Sequence, residues 1–103
     1  MRLPVSAALL FVTAPVWASE VPRLNIEAGC RAAPRLVAND ADPFNQCMKD
    51  ERAAHSELDK KWASFELEHR NLCVRETNLD GTPSYVEVLS CLQMYASKGP
   101  PPR

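Results

Sequence analysis

Glu51 and His55 stand four residues apart in a stretch of helical period, so their side chains share one helix face. A carboxylate and an imidazole so placed are two ligands for a divalent cation. His69, the only other histidine, is the third candidate. The plainer reading of Glu51 and His55 is an ion pair or a capping contact at a half-buried helix edge. No His-Glu-x-x-His sequence is present, which leaves a zinc-protease reading without support. No metal and no cofactor is expected, and Glu51, His55 and His69 are the only metal candidates.

Ser84 is the serine to consider as a nucleophile. No Gly-x-Ser-x-Gly surrounds it. Glu87 follows three residues later, and that spacing makes Ser84 the N-cap of a capping box instead. Glu66, Glu68 and Glu76 lie among Arg70 and Arg75 and read as a solvated, charge-paired face. Paired-acid catalysis needs two carboxyls about 5–10 Å apart across a cleft, and a small helical hairpin has little room for one. The expectation is a non-enzyme, with no catalytic residue.

The four cysteines, Cys30, Cys47, Cys73 and Cys91, carry the strongest signal. Sixteen, twenty-five and seventeen residues separate them, without the close pairs that a zinc site needs. An even count in a short exported chain is the pattern of a disulfide framework, and oxidation would remove all four as nucleophiles.

Export is read from residues 1–18. Arg2 supplies a positive start, Leu3 to Val12 is almost wholly apolar, and Val16-Trp17-Ala18 suits cleavage after Ala18. The run is too short to span a membrane, which takes about 20 residues. Cys30 lies too far downstream to be an acylated residue. The expected location is the periplasm or the medium, with no integral membrane segment after cleavage. Losing Arg2 leaves eleven basic and thirteen acidic residues, a net of −2. Nucleic-acid binding calls for a basic stripe and is not expected. About 85 residues remain, few enough to need covalent help in holding a core.

Residues 19–41, with Pro22, Gly29 and Pro34, keep no period and read as an irregular arm pinned at Cys30. Asp42-Pro43 is a helix start, an N-cap acceptor followed by a residue with no N–H to lose. Phe44, Cys47, Met48, Glu51, Ala54, His55, Leu58, Trp62 and Phe65 then mark one face at three- and four-residue steps. Glu57 and Lys61 form a favourable surface pair on the other face. No glycine or proline forces a break at Ser64, so helix is expected to 77 with a bend there. Asn78 to Pro83 is a turn around Asp80-Gly81. A last helix buries Tyr85, Val88, Leu89, Leu92 and Tyr95, and Gly99 ends it before a disordered tail at 100–103. The domain proper is 42–99. The fold class is all-α, a small disulfide-stapled helical hairpin of two to three helices behind an irregular arm. Trp62, Phe65 and Tyr85 are expected in the core, with Tyr95 better placed for a surface contact.

A continuous helix over 43–77 puts Cys47 and Cys73 about 39 Å apart, beyond the reach of a bond. Folding back about Asp80 brings Cys91 near Cys73, which favours Cys73–Cys91 and Cys30–Cys47. A sharp break at Ser64 would admit Cys30–Cys91 with Cys47–Cys73.

Cys47-Met48, Glu51, Ala54, Leu58, Trp62, Phe65, Arg70 and Cys73, then Gly81-Thr82-Pro83-Ser84-Tyr85-Val86-Glu87 and Cys91-Leu92, resemble a group of small exported four-cysteine bacterial proteins. The resemblance covers about half of the chain. It implies export and a helical hairpin, and no activity. Leu58-Asp59-Lys60-Lys61-Trp62, Arg70-Asn71-Leu72-Cys73, Gly81 and Cys91 are also similar to the lysozyme-inhibitor-like (LprI-type) family of the bacterial envelope. Asp59 and Trp62 stand where that family has Asn and Tyr, and a segment before Arg-x-x-Cys is missing. An inhibitory role is what that similarity implies. The functional expectation is a non-enzymatic binding or inhibitory module in the cell envelope with an unknown protein partner. The alternative is a periplasmic metal-handling protein.

Overall fold

The computed structural model describes residues 2–6, 8, 20–33, 42–79 and 81–97. Most of the leader, the end of the arm, Asp80 and the 100–103 tail lie outside the described residues. Among the described residues the chain is all-α and carries two disulfides. Its helices are α1 (Glu27–Arg31), α2 (Pro43–Lys61), α3 (Leu67–Asn78) and α4 (Tyr85–Ser97).

Helix α2 begins as its sequence dictates. The Asn45 N–H donates to the Asp42 carboxylate at 3.0 Å, and Pro43 takes the first turn. Its inward stripe buries Glu51, Ala54 and Leu58. Helix α4 packs on both α2 and α3, and α1 packs on α2. That central position explains why α4 is rich in Val and Leu: it buries Tyr85, Val88, Cys91 and Leu92. Leu24, Ala54, Leu58, Trp62 and Cys73 complete the core. Burying side chains such as Leu58 and Leu92 contributes about 1.5–3 kcal/mol each.

Two expectations need correction. The helix does not run through to 77. Helix α2 ends at Lys61, one 3-10 turn spans Trp62–Ser64, and Phe65 (φ −84°, ψ 146°) and Glu66 (φ −63°, ψ 140°) are extended. The Ser64 hydroxyl donates to the Lys61 carbonyl at 2.6 Å. A side chain thus takes an acceptor at the helix end, an alternative that serines offer the backbone. The break lets α2 and α3 each pack on α4 while Trp62 stays buried between them in the chain. The arm, in turn, is not wholly irregular, since α1 forms one turn around Cys30 and carries an Arg31–Glu27 pair.

The disulfides join Cys30 to Cys47 and Cys73 to Cys91, with Cα atoms 5.4 and 5.8 Å apart. The first ties α1 to the start of α2. The second ties α3 to α4. Each closes a loop worth about 3 kcal/mol in the chain-entropy account. Gly81 makes the turn between α3 and α4 with φ of +79°, a conformation that a side chain at this position would strain.

Candidate functional site

The polar centre of the molecule is built on Glu51, which is only 6 % exposed. It sits on the inward stripe of α2 and faces the first turn of α4. One carboxylate oxygen accepts the Tyr85 N–H at 2.7 Å and the Val86 N–H at 3.4 Å. The other accepts the Ser84 hydroxyl at 2.5 Å. An anion from one helix therefore caps another, where unpaired N–H groups and the helix dipole both favour negative charge.

Ser84 and Glu87 form half of the expected box. The Glu87 N–H donates to the Ser84 hydroxyl oxygen at 3.3 Å. The return bond is replaced by a relay through Thr77 at the end of α3. The Ser84 N–H donates to the Thr77 hydroxyl at 2.8 Å, and that hydroxyl donates to Glu87 at 2.8 Å. Thr77 is 2 % exposed, so this bridge lies inside the packed structure and locks the α3–α4 corner.

Tyr85 gathers three contacts. Its N–H meets Glu51, its ring lies parallel to the His55 ring with centroids 4.0 Å apart, and its hydroxyl accepts the Leu24 N–H at 2.8 Å. The last bond docks the arm on the hairpin beside the Cys30–Cys47 link. A cavity of about 200 Å³, lined by Gly29, the Cys30–Cys47 disulfide, Glu51, Thr82 and Ser84, opens at this junction.

The histidines are not brought to one place. His55 lies on Tyr85 and has Asp59 at 3.7 Å, whereas His69 stacks on Tyr95 at 4.3 Å and has Glu66 at 3.8 Å. With the Glu51 oxygens facing α4, the set Glu51, His55 and His69 does not form a ligand cluster. Among the described residues, no three His, Cys, Asp or Glu side chains stand where they could hold a metal ion. Among the described residues, no helix is long and apolar enough to cross a membrane.

Surface depressions lie elsewhere among the described residues. One, of about 430 Å³, is lined by Pro22, Trp62, Asn71, Val74 and Arg75. The Arg70 guanidinium sits over the Trp62 ring, 5.6 Å from its centroid. The buried Trp62 indole nitrogen has no hydrogen-bond partner among the described residues, where packing and the cation hold this ring. Another, of about 330 Å³, lies along α4 above the Cys73–Cys91 bond. Val86 and Met94 line it, 40 % and 62 % exposed, with Glu76 and Glu87 beside them.

Sequence reasoning missed Thr77, Leu24 and the Pro22–Arg75 groove. A threonine late in a helix and next to a capping box was the one available hint for Thr77. Leu24 and Tyr85 are 61 residues apart, and no local pattern links them.

Fold and site together define a small disulfide-stapled helical scaffold in which Glu51, Ser84 and Thr77 hold helix ends and the Tyr85 hydroxyl holds the arm. No protein-family model matches the chain, and neither a curated protein nor a solved structure shows significant similarity to it.

Proposed function

We propose that this chain is an exported, non-enzymatic binding or inhibitory module acting on a protein partner in the periplasm or outside the cell. The observation that carries this reading is the engagement of its reactive groups in scaffold contacts. Glu51 and Ser84 cap α4, both histidines are stacked on tyrosines, and all four cysteines are oxidised. The leader-like residues 1–18 support export, and the two disulfides suit an oxidising compartment.

The outer face of α4 is the surface for such a partner. Val86, Ser90 and Met94 recur every four residues, and Glu76 and Glu87 flank them. Apolar side chains bordered by carboxylates complement a partner surface that is apolar and basic.

The test is affinity capture with immobilised, oxidised residues 19–103 against the exported proteins of the source cell. A partner whose purified form binds the native domain and not Met94→Glu or Val86→Glu supports the reading. Retention of no protein, or equal binding by both variants, sinks it. The inhibitory form, which the LprI-type resemblance implies, requires that the oxidised domain slow lysozyme at micromolar concentration.

A further inference from the structure

We infer that the groove beside Trp62 is a binding site for a small apolar monocarboxylate. The inference goes beyond the protein-partner reading and does not rest on it, because the groove shares no lining residue with the Val86–Met94 face. Its volume of about 430 Å³ falls in the range of small-molecule sites. Its described apolar lining is the half-buried Pro22 and Val74 with Trp62, which is 4 % exposed, behind them in the core, and together they offer an apolar body a surface to leave water for.

Charge selects the head group. Arg75 lines the groove, and among the described residues it has no ion-pair or hydrogen-bond partner. Asn71 adds an amide one turn earlier, and no carboxylate stands among the described lining residues. A guanidinium takes a carboxylate through two parallel N–H donors. A cationic head would meet Arg75 without a counter-charge, and an uncharged head would leave its fork unused. The ligand class that satisfies walls and rim together is an apolar tail ending in one carboxylate. Pro22 belongs to the arm, so the arm's docking through Leu24 and Cys30–Cys47 completes the site.

Removal of residues 1–18 leaves Trp62 as the only tryptophan, so its emission reports on one wall of the groove. Oxidised residues 19–103 are titrated with decanoate below its micellar range, by calorimetry and by tryptophan emission, with decanol and decyltrimethylammonium as head-group controls. The expected result is saturable heat with decanoate, a parallel emission change, and binding at least about tenfold weaker for both controls. Arg75→Ala lies on an exposed helix face and should weaken decanoate by about tenfold or more, the scale of one lost charged hydrogen bond. Arg52→Ala, exposed on α2 and outside the groove, should leave it unchanged. Flat calorimetry overturns the inference. So does heat without a change in Trp62 emission, equal affinity for decanol, or an Arg75→Ala protein that binds as well as the parent. The Val86→Glu and Met94→Glu variants should bind decanoate normally, so the failure of either reading is visible without the other.

Discussion

The Glu51 carboxylate accepts the backbone N–H of Tyr85 at 2.7 Å, across 34 residues of sequence. This contact makes a side chain of α2 the N-terminal cap of α4, and the neighbouring Ser84 hydroxyl donates to the same carboxylate. Secondary and tertiary structure are joined at this point: α4 starts where α2 supplies its anion.

Glu51→Ala should therefore destabilise the protein by about 2–3 kcal/mol, since it leaves buried donors without an acceptor as well as removing a cap. Glu51→Gln keeps the shape and one acceptor oxygen, and should cost less. Urea denaturation of the oxidised proteins measures both. An alanine variant within about 0.5 kcal/mol of the parent, the ordinary surface-substitution range, would contradict the capping role.

The Thr77 relay makes a separate prediction. Thr77→Val preserves volume but removes the hydroxyl between the Ser84 N–H and Glu87. A loss of about 1–2 kcal/mol is expected, and Thr77→Ser should recover most of it. If serine and valine behave alike, packing rather than the hydroxyl explains the burial of this position.

Arm docking should be separable from hairpin stability. Tyr85→Phe keeps the ring against His55 and deletes the acceptor of the Leu24 N–H. Amide hydrogen exchange should show faster exchange at Leu24 while the amides of α4 stay protected. Replacing Cys30 and Cys47 with alanine should have the same regional effect, larger in size. Replacing Cys73 and Cys91 should instead speed exchange in α3 and α4, because that bond joins those two helices.

Glu57 provides a pH marker on the solvent side of α2. The Lys61 ammonium, 3.1 Å from its carboxylate, lowers its pKa from the ordinary 4.5, first through the hydrogen bond and then through charge. A carboxyl whose pKa is depressed on folding adds stability that is present above its unfolded pKa. That contribution is lost as pH falls through the folded value, here in the region below 4.5. Carboxyl-carbon NMR should find the Glu57 midpoint depressed in the parent and returned toward its ordinary value in Lys61→Met. An unchanged midpoint in that variant would remove Lys61 as the cause.

Much of this architecture was written in local pattern. Asp42-Pro43 marked the start of α2, the three- and four-residue recurrence marked the buried faces of α2 and α4, and Gly81 marked the turn. Each of these depends on neighbours within one or two turns, where side-chain period and capping chemistry act directly. The even count of four cysteines in a short chain, without the close pairs of a zinc site, likewise announced cross-links.

Tertiary structure alone decided the rest. It ended α2 at Lys61, since α2 and α3 both had to reach the same central helix, and no single residue between them demands a break. It turned Glu51 from a metal-ligand candidate into the cap of a distant helix, separated the two histidines, and placed Thr77 where Glu87 was expected to bond alone. These outcomes depend on which faces pack together. A carboxylate, hydroxyl or imidazole has the same local signature whether it meets a cation, a solvent molecule or another helix's free N–H.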